Sequence, residues 1–301
     1  MSGLFHRAEH LALARDNRER EPVASALRLL ERRDEDPLKA AHLAALRYQI
    51  LADRSAAETA IEQLGSVDVA AGEIVDQARC KSLLGWLSVA AMLRQHANWQ
   101  ALETEIVPAY VAAVSNMTAA YDPLDELWQG ATQLATGIVF GHESFRQMGA
   151  SAYRKGVDHV IHPEGFLKGI VDVESIEPTY ARQVSGACAL VIMAEMATHA
   201  GLDLWSYDNR GVSPVTATTY LLYYYYYPEH WRWSDDLSPD DTAAVVAGEG
   251  AFIEMVNRRH PLRGVEQLLA EMRPMFCGYG GGLTTLTHGL APPKKRRWRL
   301  L

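Results

Sequence analysis

Between Pro163 and Tyr207 the chain places Glu177, Tyr180, Arg182 and Gln183 in or just before the first turns of a long helix, directly after a glycine-containing loop. Pro178 suits the first turn of that helix and Glu177 can cap it, so the Tyr180 phenol would lie near the positive end of the helix dipole. A phenol in that field beside Arg182 could have a lowered pKa and move protons, while the guanidinium holds an acidic substrate. A structural reading competes with this one. Tyr180 would then be a half-buried core tyrosine, and Arg182 an ion-pair residue partnered by Glu177 or Glu174.

Helices must position these side chains. Leu4 to Arg18, Pro22 to Arg32 and Pro37 to Ala52 carry apolar residues at helical spacing, with Pro22 and Pro37 at first-turn positions. Ala56 to Leu64, Gly72 to His96, a short segment from Asn98, and Ala109 to Ala120 opened by Pro108 continue the pattern. Asp122-Pro123 caps a helix that ends at Gly141, and His142 to Ile161 is helical again. Gly165 to Glu174 reads as loop, partly extended at Gly169 to Val171. After the Tyr180 helix, Gly201 supplies a left-handed stop, and Pro214 to Tyr227, Asp240 to Arg259 and Leu262 to Met272 complete the helices. The glycines between Gly278 and Gly282 predict an ordered loop or short strand. Together these segments predict an all-α protein of helical hairpins, without the fixed period of a repeat array. The hairpins either close into a toroid or stack openly; residues 1–290 form one domain and 291–301 a basic, disordered tail.

Composition narrows the function. A net charge of −8 and a pI near 5.8 argue against a global nucleic-acid binder, and an anionic substrate would need a local basic cleft. The KKRR run near the C-terminus reads as a solvated tail rather than a nucleic-acid patch. Cys80, Cys188 and Cys277 are odd in number and widely spaced, which predicts core thiols. No Walker loop, dinucleotide fingerprint, HExxH or paired CxxC occurs, so neither cofactor nor metal is expected. No signal-type or membrane-spanning apolar run is present, which reads as cytoplasmic unless a leader precedes the numbering.

The stretch GFLKGIVDVESIEPTYARQ followed by ALVIMAEMATHAGLDLW resembles the core of the alginate lyase family of helical-toroid polysaccharide lyases. Weaker likeness extends to Trp128, to YDNRG and to GGGLTTLTHG. The resemblance implies an incomplete α/α toroid that cleaves a uronate-containing glycan by β-elimination, with an acidic polysaccharide or oligosaccharide as partner and a periplasmic or secreted location. It also implies that one tyrosine removes the C5 proton and protonates the O4 leaving group. Counted from GFL that tyrosine is Tyr180; counted back from GLDL its place falls on Arg182. Tyr180 is preferred for its chemistry, with Arg182 on the substrate carboxylate.

The family's Asn-His pair before the tryptophan is replaced here by Pro123, Leu124 and Asp125. His142, His162 and His288 are the candidate substitutes, with His288 preferred because flexible glycines precede it. Trp128, Trp205 and Trp231 are candidates to stack on sugar rings, with a core role favoured for Trp205, and Gln183 is a candidate to contact substrate. The five consecutive tyrosines, Tyr223 to Tyr227, point all round a helix and cannot line one cleft. The alternative function is a non-catalytic toroid or repeat protein that binds a glycan or a protein partner.

Overall fold

The computed structural model describes residues 3–69, 76–120, 122–234 and 236–290. Among them fourteen α-helices form: α1 (Ala8–Asp16), α2 (Val23–Leu29), α3 (Pro37–Leu51), α4 (Arg54–Gly65), α5 (Gln77–Leu93), α6 (Trp99–Ser115), α7 (Pro123–Phe140), α8 (Glu143–Lys155), α9 (Thr179–His199), α10 (Pro214–Tyr226), α11 (Pro239–Glu249), α12 (Ile253–Arg259), α13 (Val265–Met272) and α14 (Thr284–Thr287). The only β pairings in these residues are isolated bridges. The expected helix start at Gly72 and the basic tail lie outside the described residues.

Four long helices run in the same direction. His42 Nε2 lies 3.1 Å from the Gly85 carbonyl and Gln49 Nε2 donates to the Met92 carbonyl at 2.7 Å, so α3 and α5 advance together. The Gln77 amide donates to Asp125 and Thr132 Oγ1 donates to the Cys80 carbonyl, which sets α5 parallel to α7. Trp128 Nε1 donates to Ser185 Oγ at 3.0 Å, and Gly130 faces Met193, which carries the same direction to α9. All four starts therefore face one end of the molecule, the mouth. Helix α9 is the axis of the arrangement: every residue from Arg182 to Ala197 is buried, as expected of a central helix rather than a one-faced one.

Return helices close the hairpins. α8 runs back along α7, and the contact depends on missing side chains. A Cβ on Gly149 would lie 2.5 Å from Leu134 Cβ and 2.6 Å from the Gly130 carbonyl, and one on Gly130 would lie 2.4 Å from Ala152 Cβ. α10 runs antiparallel to α9, with Tyr180 Oη donating to the Leu221 carbonyl and Gln183 Nε2 to the Ala217 carbonyl.

Local differences from the sequence reading have physical reasons. Pro108 lies inside a continuous α6 instead of opening a new helix, because Leu102, Ile106, Tyr110 and Val114 form one buried stripe on both sides of it. The helix expected from Asp240 to Arg259 is two, α11 and α12, joined by a 3-10 turn at Gly250–Phe252, where Gly248 and Gly250 weaken the helix. The segment expected to be helical to Ile161 ends as a π-helical turn, Gly156–Val160. Asp36, Asp53, Asp76 and Asp122 cap their helices, and Gly201 takes the left-handed conformation that its position requires.

Two tests follow from this core. Gly149→Ala should destabilise the protein by about 1–3 kcal/mol, because neither the Leu134 side chain nor the Gly130 backbone can yield freely; an unchanged urea midpoint would contradict the close α7–α8 contact. Burial holds His6 and His42 neutral, with pKa values of about 3 and about 4 against 6.5 when free. The unfolded chain therefore takes up protons that the folded one refuses as pH falls below 6.5, costing about 1.4 kcal/mol per ring per pH unit. Glu254 opposes this, since burial raises its pKa to about 7 and it gains a proton on the same descent. The histidines outnumber it, so the urea midpoint should fall between pH 6.5 and 5; a flat profile would mean that the rings titrate normally.

Candidate active site

At the mouth, the starts of α5, α7 and α9 bring charged and polar groups together. Ser185 Oγ accepts from Trp128 Nε1 and donates to Gln77 Oε1 at 3.1 Å. Gln77 in turn donates Nε2 to both Glu177 oxygens, at 3.1 and 2.9 Å, and its backbone amide to Asp125. One turn further along α5, Lys81 Nζ forms an ion pair with Glu249 at 3.1 Å. It also lies 5.0 Å from the Trp128 ring and 5.1 Å from the Tyr279 ring. Tyr279 stands edge-on to Trp128 at 5.4 Å, carried by the turn that the Cys277–Gly282 bridge closes. Burial and neighbouring Cys277 and Glu249 push the Tyr279 phenol far above its ordinary pKa, so it rests protonated. Burial likewise raises Asp125, against the amide of Gln77.

The residues expected to act at the helix mouth are mostly committed to the protein. Tyr180 is 1% exposed; its hydroxyl bonds the Leu221 carbonyl, its ring meets Trp231 edge-on at 5.5 Å, and burial raises rather than lowers its pKa. Arg182 is buried, with Nη2 on Asp122, Nε on the Ile170 carbonyl at 2.9 Å and Nη1 3.6 Å from Glu177. The ion-pair alternative with Glu177 is thus the arrangement found, with Asp122 as the nearer partner. Gln183 is fully buried and clamps the loop: its Oε1 accepts from the Leu167 amide and its Nε2 donates to Gly165. Trp231 is 3% exposed and donates Nε1 to Thr179, and Trp128 is fully buried, so neither ring offers a face to a sugar.

The histidines are dispersed. His288 is buried beside Glu195, which lies about 22 Å along α9 from Tyr180 at roughly 1.5 Å per residue. It cannot share a sugar with that tyrosine. His142 caps α8 at the far end of α7, and His162 stacks on Phe166 at 4.2 Å in the loop before α9. What the sequence reading missed is Lys81, Gln77, Ser185, Glu249 and Tyr279. Two signals were available: Lys81 is a cation within the apolar run of α5, and Tyr279 sits among the glycines already marked for close backbone approach. Among the described residues, no cluster of three or more His, Cys, Asp or Glu could hold a metal, and no helix is long and apolar enough to cross a membrane.

A family model described as alginate lyase matches residues 55–231, more than half of the chain. The chain belongs to the alginate lyase family. That match spans α4 to α10 and so includes the starts of α5, α7 and α9 at the mouth. Solved structures agree on the fold. An alginate lyase from Bacteroides ovatus superposes with a TM-score of 0.75 at 13% identity, covering 96% of this chain and 99% of that one. An alanine-for-histidine variant of alginate lyase A1-III complexed with tetrasaccharide gives 0.72 at 17% identity, covering 91% and 82%. Alginate lyase A1-III from Sphingomonas species A1 gives 0.70 at 18%, covering 90% and 78%. The parallel inner helices with antiparallel returns are the α/α toroid of these lyases. A search of curated proteins finds no match.

The committed state of Arg182 has a measurable consequence. Arg182→Met should cost about 1–3 kcal/mol, because it removes the partner of the half-buried Asp122 carboxylate and frees the Ile170 carbonyl. A substrate-binding cation held in reserve would instead be removable with little change in the urea midpoint.

Proposed function

We propose that this chain is a polysaccharide lyase that cleaves a uronate-containing glycan such as alginate by β-elimination, with Lys81, Glu249 and Tyr279 as its reacting groups. The observation that carries this assignment is the meeting of a cation, a carboxylate and a protonated phenol at the mouth, on a chain of the alginate lyase family.

The chemistry needs three things: a partner for the substrate carboxylate, a base for the C5 proton and an acid for the O4 leaving group. Lys81 supplies the first. When the uronate carboxylate pairs with Lys81 it displaces Glu249, whose freed carboxylate takes the C5 proton. Electrons from the C5–H bond form the C4=C5 double bond as the C4–O4 bond breaks, and the departing oxygen takes the Tyr279 proton. Glu249, already beside the phenol, returns its proton to Tyr279 and resets the site. Trp128, 5.0 Å from Lys81, holds the ammonium against its ring face. Tyr180, Arg182 and Gln183 act as positioning residues, joining α9 to the loop and to α10.

One feature favours the non-catalytic alternative: Pro123, Leu124 and Asp125 stand where the resemblance places the family's Asn-His pair, and a carboxylate at Asp125 opposes an anionic sugar, although burial raises its pKa.

Both readings meet one experiment. Purified protein incubated with alginate, glucuronan and glycosaminoglycans should release unsaturated uronate from at least one, followed by its ultraviolet absorbance. Lys81→Ala should lower kcat/KM by about 10²–10³-fold and Tyr279→Phe by about 10²–10⁴-fold, while Tyr180→Phe leaves it near the parent value. Absence of unsaturated product from the whole panel, or full activity of the Lys81 and Tyr279 variants, would overturn the assignment. Saturable polymer binding without product would favour the non-catalytic toroid.

A further inference from the structure

The C-terminal end of α9, opposite the mouth, opens into a cavity of about 920 Å³, within the range of small-molecule sites. Its walls come from three distant parts of the chain: Arg7 and His10 from α1 and its approach, His199 and Trp205 from the end of α9 and the following loop, and Arg258 from α12.

Three arginines, Arg7, Arg258 and Arg259, line this cavity with four carboxylates, Glu9, Asp16, Glu195 and Asp203, but the pairing among them is uneven. Glu195, at its floor, is fully occupied: its Oε2 accepts from Trp205 Nε1 at 2.9 Å and Arg259 Nε at 2.8 Å, and its Oε1 lies 3.5 Å from both His199 and His288. Arg258 is half-buried, and its hydrogen bonds go to the Thr287 and Leu290 carbonyls, at 3.2 and 2.9 Å. Arg7 donates to His199 Nδ1 and the Thr198 carbonyl. Neither arginine forms an ion pair with a carboxylate among the described residues. Glu9, Asp16 and Asp203 stand exposed at the rim. His10 is 7% exposed, and its Nδ1 is buried without a hydrogen-bond partner. Burial keeps that ring neutral, with a pKa of about 2, so it has one donor and one acceptor to offer.

Arg258 is a half-buried guanidinium on which Glu195 and Glu9 act only from beyond ion-pair distance, so its free donors can still take an anion. Trp205 is the aromatic surface beside it, fixed at its nitrogen by Glu195 and flanked by Arg259 at 5.4 Å. We propose that this cavity is a second ligand site, distinct from the mouth, for a short acidic sugar. Its carboxylate sits on Arg258 and Arg7, its pyranose ring lies on Trp205, and a hydroxyl bonds His10. The ligand class rests on the lyase reading, since fragments of the polymer are acidic sugars; the anion site itself does not.

Calorimetric titration of the full chain with an alginate disaccharide, its carboxyl-reduced counterpart and acetate tests this. The disaccharide should bind saturably and the reduced form should not. Arg258→Gln and the exposed Arg7→Ala should each raise Kd by about ten- to a hundred-fold, and Lys81→Ala should leave it unchanged. Circular dichroism confirms that the variants fold, and Arg7→Ala keeps the test open if Arg258→Gln does not. No saturable binding, binding that survives in folded Arg258→Gln and Arg7→Ala, acetate binding equal to that of the sugar, or binding lost in Lys81→Ala would each overturn the proposal. Binding that persists without polymer cleavage would sink the lyase reading alone, and cleavage without binding here would sink this one alone.

Discussion

The arrangement of the mouth depends on the ion pair between the buried Arg182 and the half-buried Asp122. Asp122 caps α7 through one oxygen and holds the α9 guanidinium through the other, while Arg182 also takes the Ile170 carbonyl of the preceding loop. Three segments are thereby tied at one point. A pair of this kind gives little net stability against an apolar substitute, but it fixes register, because any shift of α9 relative to α7 leaves a charge unmatched. The Trp128–Ser185–Gln77 chain then carries the register from α7 and α9 to α5. Lys81, on α5, reaches Tyr279 and Glu249 only because those three starts are level.

This explains how far the site could be read from sequence. The Asp122 cap, the long buried α9, the glycine stop at Gly201 and the loop around Gly278 to Gly282 announce themselves by local patterns and appear in the fold, whereas Glu177 does not cap α9: Pro178 takes the cap position and the Glu177 carboxylate accepts from Gln77. Family likeness points to the same helix mouth that the proposed site occupies. Local pattern cannot say which groups at that mouth are already spent. Tyr180 and Arg182 have the right chemistry and the right address, yet Leu221, Asp122 and Ile170 consume their hydrogen-bonding capacity. Leu221 and Asp122 lie 41 and 60 residues away. Lys81 and Tyr279 meet across nearly two hundred residues, and no spacing rule anticipates such a pair. Pro108 failed as a boundary for a related reason: a stripe of buried side chains outweighs one missing hydrogen bond.

The two ends of α9 have opposite electrostatic logic. A helix C-terminus favours cations, and there Arg258 and Arg259 gather round the α9 end, with Glu195 in ion pair with Arg259. At the N-terminal mouth the carboxylates Asp122, Asp125 and Glu177 lie where the positive end of the dipoles favours them. An anionic sugar approaching that mouth meets like charge, except near Lys81. In the proposed reaction the carboxylates would restrict the ways in which a uronate can sit and leave it Lys81, which faces the Trp128 and Tyr279 rings.

The turn that carries Tyr279 shows how tightly this lysine's surroundings are set. Gly281 and Gly282 adopt positive φ values of 109° and 71°, which glycine tolerates and other residues resist. A Cβ on Gly280 would lie 3.2 Å from Cys188 Sγ, so the turn is seated directly on α9. The bridge between Cys277 and Gly282 closes it, leaving the phenol little freedom beyond its own two torsions. In the proposed reaction, a proton donor held this way would keep its place when Glu249 leaves Lys81 to a substrate carboxylate. In a β-elimination, where the leaving oxygen must find its proton as the bond breaks, that fixed position is what the glycine-rich turn contributes.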